Sequence, residues 1–163
     1  MTSTSTSTLP TVALACDHAG YLLKDELKAH LTGAGYTVID HGTDGPASVD
    51  YPLFADKLCQ SITEGQCDLG ILVCGTGIGM SIAANKHTGI RAACCSDTFS
   101  ARLTRMHNDA NVLCMGARVV GAGLAAELAD VFLATPFEGG RHMRRVEMLN
   151  ALDGTAPENG EKA

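Results

Sequence analysis

The chain contains no tryptophan, and aromatic residues fill only 4 % of its 163 positions. So aromatic-poor a composition, dominated by aliphatic residues, Ala and Gly, suits parallel strands buried under helices better than a β-sandwich or a long amphipathic bundle. No apolar run approaches the length of a membrane span. A formal charge of −6 lacks the basic excess that nucleic acid or an anionic membrane attracts, so neither is expected as a partner. An anionic ligand would need a local cluster of Arg and His. The Ser/Thr-rich start, residues 1–10, lacks the basic residues and apolar stretch of a targeting peptide. Together with the polar tail, 154–163, it is expected to be flexible. Residues 11–153 then form a single domain, placed in the cytoplasm, with organelle import left open.

Cysteine is plentiful, but its spacing is uninformative: seven are present, with no Cys-x-x-Cys pair. No His/Cys spacing makes a metal site, so no metal is predicted. Six of the seven are read as reduced thiols serving as small hydrophobes; Cys74 is set apart by its context.

Apolar runs of strand length alternate with amphipathic segments. Strands are expected at Thr11–Cys16, Thr37–Asp40, Leu69–Cys74, Arg91–Ser96 and Val112–Gly116. Helices are expected at Tyr21–Thr32, Pro52–Glu64, Met80–Lys86, Phe99–His107 and Leu124–Leu133. In the first helix Leu22, Leu23, Leu27 and Leu31 recur at helical spacing. The alternation predicts an α/β fold, a parallel sheet wrapped on both faces with right-handed crossovers. A last helix, Arg141–Leu152, is followed by no strand, and its apolar stripe must cover this sheet or a second subunit.

Ligands of open α/β sheets collect outside the carboxyl ends of the strands, which here carry Asp17-His18, His41-Gly42, Cys74-Gly75-Thr76-Gly77, Ser96-Asp97 and Ala117-Arg118. The strongest signal is Leu72-Val73-Cys74-Gly75-Thr76-Gly77-Ile78-Gly79-Met80, a buried strand running through three alternate glycines into a helix. Such a turn lets several N–H groups converge on one anionic atom; it can also be a bare connection. A dinucleotide-binding turn needs Gly-x-Gly-x-x-Gly, and position 80 is Met, although Asp97 stands near where a ribose-binding acid falls. Beside converging N–H groups the Cys74 thiolate is favoured as base or nucleophile; the alternative is one more buried hydrophobe. Asp17 can serve simply as a helix cap.

His107, in Arg105-Met106-His107-Asn108-Asp109, is the group there that can move a proton near neutrality. Arg118, Arg141 and Arg145 are candidate phosphate ligands or a solvated basic face, with Arg144 pointing away from the Arg141–Arg145 line. His30, His41, His87 and His142 have no comparable context and read as surface or packing residues.

Six blocks in order resemble ribose-5-phosphate isomerase type B: Cys16-Asp17-His18, Asp50-Tyr51-Pro52, Cys74 to Gly79, Ser81 to Lys86, His107-Asn108-Asp109, and Glu138-Gly139-Gly140-Arg141-His142. Their spacing holds from about Thr11 to Leu152. The resemblance implies a Rossmann-like three-layer sandwich with a mainly parallel five-stranded sheet. It also implies a homodimer, or a pair of dimers, whose C-terminal helix reaches the partner subunit. The implied activity is cofactor-free interconversion of ribose 5-phosphate and ribulose 5-phosphate. By matched position Cys74 is the base, and Gly75, Thr76, Gly77, Ile78 and Gly79 hold the ene-diolate oxygen. His107 opens the sugar ring, Asp17 binds the ring region and Tyr51 lines the pocket. His18, Arg118, Arg141 and Arg145 take the phosphate and Asn108 a sugar hydroxyl. Some members carry a Glu in the turn as base; positions 75–80 hold no acid here, which matches the cysteine branch. Three alternatives stay open: a hexose 6-phosphate (allose or galactose) isomerase, a non-catalytic nucleotide- or phosphate-binding module, and, ranked last for want of a sequence-adjacent resolving cysteine, a redox-sensing thiol protein.

Overall fold

The computed structural model describes residues 9–152, which form five strands and six helices. The terminal segments expected to be flexible lie outside the described residues, apart from Leu9 and Pro10. The elements run β1 (Val12–Cys16), α1 (Tyr21–Gly33), β2 (Val38–Asp40), α2 (Tyr51–Thr63), β3 (Leu69–Cys74), α3 (Ile78–Ala84), β4 (Ala92–Cys94), α4 (Thr98–Asn108), β5 (Val112–Gly116), α5 (Ala122–Ala134) and α6 (Arg141–Leu152).

The sheet order is β2-β1-β3-β5-β4, and every pairing among the described residues is parallel. The sheet is therefore wholly parallel rather than mainly so. Each central strand alternates between two cores, because successive side chains point to opposite faces. Val12, Leu14, Ile71, Val73, Leu113 and Met115 face Leu23, Leu27, Leu128 and Phe132 of α1 and α5. Ala13, Ala15, Leu72 and Cys114 face Leu58 and Cys59 of α2 and Met80 of α3. β1, β3 and β5 are buried throughout, which is why they read as continuous apolar runs.

Two differences from the sequence expectation share one cause, the edge position of β4. The strand spans only Ala92–Cys94, and Cys94 is exposed rather than buried. It has a neighbour on one side alone, Cys94 lying in register with Cys114 of β5. Burial pushes the Cys16 and Cys59 thiols up to about 12 and the Cys95 thiol up to about 11. Such groups stay protonated and inert.

Strand order reverses between β1 and β3: the chain moves from β1 to β2 on one side, then returns to β3 on the other. Their carboxyl ends form the crevice where α/β sheets collect ligands.

Candidate active site

At that crevice the Asp17 N–H donates to the Val73 carbonyl at 3.1 Å, which sets the end of β1 beside the Cys74 turn. The approach depends on Gly20, where a Cβ would stand 2.6 Å from the Val73 oxygen. Asp17 is buried, its Oδ1 accepting from the Ala19 N–H at 2.9 Å. His18 accepts the Val49 N–H on Nδ1 at 3.2 Å. That leaves the proton on Nε2, pointing a donor away from the backbone.

Cys74 ends β3, buried, and its Sγ accepts the Gly77 N–H at 3.1 Å. The turn thus aims a backbone donor at the sulfur. Glycine is required along this turn for separate reasons. Gly77 has φ +81°, and a Cβ there would lie 2.8 Å from both Cys94 Sγ and the Met115 carbonyl carbon. At Gly79 a Cβ would meet the Tyr51 ring at 3.0 Å, so the bare backbone is what lets Tyr51 lie over the turn. The Arg118 guanidinium covers Gly75, 3.3 Å from where its Cβ would be, and the Arg118 N–H donates to the Gly75 carbonyl at 3.1 Å. No acidic side chain pairs with Arg118 among the described residues, so its charge is available to an anion. Thr76 Oγ1 accepts the Ile78 N–H at 3.4 Å.

Loop 41–50, which supplies Val49 and leads into Tyr51, is anchored by a buried charge. Lys24 of α1 is wholly buried and reaches Asp40 at 3.0 Å, Asp44 at 2.8 Å and Asp25 at 3.3 Å; Lys28 also reaches Asp40, at 3.0 Å. Burial opposes the Lys24 charge, but these carboxylates outweigh it and hold the proton more tightly than usual. For Asp40, burial opposes ionisation, yet the Gly42 N–H, Lys24 and Lys28 win and hold the carboxyl below its ordinary range.

The remaining sequence-predicted residues lie elsewhere. His107 and Asn108 close α4, and the Asn108 carbonyl accepts from Arg91 Nε at the start of β4. A helix between parallel strands runs back against them, so its last turn sits at the amino edge of the sheet. β5 separates the two edges by five residues, about 16 Å at 3.3 Å each. The structure thus brings together Asp17, His18, Tyr51, Cys74, Gly75, Thr76, Gly77, Ile78, Gly79 and Arg118. It gathers His107, Asn108, Arg141 and Arg145 at the other end.

There the chain turns through Gly139 and Gly140, at φ +67° and +56°, into α6. Arg144 is nearer its neighbours than helical spacing suggested: Arg141, Arg144, Arg145 and Met148 border one open hollow. His142, read from sequence as a surface or packing residue, is buried and stacks on His107 with ring centroids 4.2 Å apart. The Glu138 carboxylate lies 3.6 Å from His107 Nε2 and 3.5 Å from His142 Nε2. Two His and a carboxylate are also a metal-ligand set, but the rings lie 11° from parallel. Arg141 Nε already donates to His142 Nε2 at 3.4 Å, occupying the lone pair that a metal would need.

Cys94 sits exposed at the edge of the sheet, its Sγ approaching the Thr76 carbonyl at 3.6 Å. Burial first, then Cys74, pushes its thiol up.

The sequence profile of the Ribose/Galactose Isomerase family matches residues 12–149. The chain belongs to this family. It is 50 % identical over 142 residues to ribose-5-phosphate isomerase B of Escherichia coli K12, covering 87 % of this chain and 95 % of that protein. Two solved structures of family members superpose closely. Ribose-5-phosphate isomerase B of Clostridium thermocellum gives a TM-score of 0.87 at 49 % identity, covering 88 % of this chain and 97 % of that one. The ribose 5-phosphate isomerase of Thermotoga maritima gives 0.86 at 51 % identity, covering 87 % and 98 %. The wholly parallel α/β fold is thus the family's fold.

Proposed function

We propose that the chain interconverts ribose 5-phosphate and ribulose 5-phosphate, with Cys74 as the base and each site built from two copies of the chain. The observation that carries the reading is the Cys74 sulfur: buried, facing the Gly77 N–H at 3.1 Å, on a turn whose Gly75 is covered by the unpaired Arg118. Its neighbours are the chemistry that proton transfer next to a carbonyl requires.

In the open aldose, the Cys74 thiolate takes the proton from C2. The freed electron pair forms C1=C2 and the charge moves to O1. N–H groups of Gly75 to Gly79 and the Thr76 hydroxyl stabilise that oxygen more in the transition state than before it. The O2 proton passes to O1, C2=O2 forms, and the thiol returns its proton to C1. His18, through Nε2–H, and Arg118 hold the phosphate, and binding energy remote from the reacting carbons fixes their orientation. Tyr51 covers the pocket.

Ring opening must come first for a furanose. His107 gives a proton to the ring oxygen as the C1–O4 bond breaks, and the O1 proton goes to the Asp17 carboxylate. His107, Asn108, Arg141 and Arg145 stand at the opposite edge of the sheet from Cys74 in their own chain. They complete a site only when the amino edge of one copy covers the carboxyl edge of another. This supports a homodimer, with Arg141 and Arg145 adding to the phosphate clamp across it.

Cys74→Ala should abolish turnover of ribose 5-phosphate while sugar-phosphate binding, followed by calorimetry, persists. Near-normal turnover would remove Cys74 from the role of base. Running the assay with a chelator present, and with six-carbon phosphates beside the pentose, tests the cofactor-free reading and the choice of substrate. Tight nucleotide binding without any isomerisation would favour the binding-module alternative.

A further inference from the structure

His107 is held by two groups that the reaction itself does not require. The His142 ring lies parallel to it at 4.2 Å, and the Glu138 carboxylate sits between the two Nε2 atoms, 3.6 and 3.5 Å away. The arrangement is built rather than incidental. The Glu138 N–H donates to the Met106 carbonyl at 3.0 Å, tying position 138 to the residue before His107. The two left-handed glycines, 139 and 140, then fold the chain so that Glu138 returns against His142, four residues on. His142 is buried, so its ring is a fixed wall.

The proton positions follow from the donors. Arg141 Nε donates to His142 Nε2 at 3.4 Å, so that nitrogen carries no proton. Burial, His107, Arg141 and Arg145 together outweigh Glu138 and hold His142 below its ordinary range, which disfavours its charged form. Of the two rings, His107 is therefore the one that can present a proton to the Glu138 carboxylate through Nε2.

We propose that Glu138 and His142 are positioning residues for His107: the His142 ring fixes the plane of the imidazole, and the Glu138 carboxylate retains the proton that opening the sugar ring consumes. The proposal deepens the isomerase reading and rests on it for the role of His107. The charged and titratable groups around His107 are Glu138 on the connecting segment, Arg141, His142 and Arg145 on α6, and Arg105 with Asp109 at the end of its own helix. Arg105 and Asp109 are committed to each other at 2.8 Å. Glu138 is thus the anion left to balance an imidazolium.

Chemistry supplies a selective readout. Ribose 5-phosphate is mostly a closed ring, whereas ribulose 5-phosphate has its 5-hydroxyl esterified and stays open. Only the first needs His107 before proton transfer, and an open aldose formed from ribulose 5-phosphate can close after release. The experiment measures initial rates in both directions, and imidazole NMR titrations of His107, for the wild type, Glu138→Gln, Glu138→Asp and His142→Phe. With Glu138→Gln, turnover of ribose 5-phosphate should fall about tenfold, the ribulose direction should fall much less, and the His107 midpoint should move to lower pH. Glu138→Asp should recover part of the loss. His142→Phe keeps the stacked ring and should retain most of the ribose activity. Equal losses in both directions, or an unmoved His107 midpoint, would overturn the proposal. If the wild type failed to convert ribose 5-phosphate yet the His107 midpoint still moved in Glu138→Gln, the pairing would stand and the isomerase reading would fall.

Discussion

Lys24 shows how one side chain can matter to a site it never touches. Its ammonium is sealed among Asp25, Asp40 and Asp44, and those carboxylates fix the loop that orients His18 through Val49 and ends at Tyr51. Without it Asp40 still keeps Lys28, and solvent screens the exposed Asp25 and Asp44. Lys24→Met should lower stability by about 1 kcal/mol at pH 7 in urea unfolding. The acid dependence has a definite sign. Asp40 is held below its ordinary 3.8, so its contribution is complete above that value and is lost as pH falls through the depressed one. The gap between wild type and Lys24→Met should therefore hold from pH 7 down to about 3.8 and narrow only below it; a gap that widened in acid would contradict the network. At this scale the sequence was legible where a residue's meaning is local. Cys74 stood out because three glycines follow it in sequence. His142 did not, because its partner His107 lies on another helix and comes into contact only through the Gly139–Gly140 turn.

Elements were the most legible level. Every strand and helix expected from hydrophobic periodicity is present, and differences are confined to a few terminal residues. α3 begins at Ile78 rather than Met80 because Gly77, at φ +81°, already starts the turn of helix. β4 is short because an edge strand with one neighbour leaves no continuous apolar signature. Two glycine substitutions separate the turn from an ordinary helix. Gly77→Ala forces a left-handed backbone on an L residue and drives Cβ into the Met115 backbone, so it should cost more than about 2 kcal/mol. Gly123→Ala lies in α5 with nothing within 4 Å and should stabilise by about 0.5 kcal/mol. Thermal unfolding of both variants checks the contrast; equal effects would mean that the turn is not under steric constraint.

At the scale of the whole molecule, the strand alternation fixes which residues share an edge. His107 and Arg141 sit away from Cys74 because α4 returns against the strands, a fact of topology that spacing along the chain does not display. If each site draws on two copies, variants defective at opposite edges should complement. Cys74→Ala and His107→Asn, each inactive from ribose 5-phosphate, are mixed in equal amounts and allowed to exchange. Half the dimers become mixed, each with one intact site, so activity should return to about a quarter of wild type. No recovery after demonstrated exchange would place the whole site within one chain. The division between the two sheet edges also reaches into the rate law. If base and ring opener of one site come from two copies, as proposed, a single chain cannot open and isomerise ribose 5-phosphate alone. At concentrations where pairs come apart, velocity would rise with the square of the amount of protein, so dilution alone would act as an inhibitor.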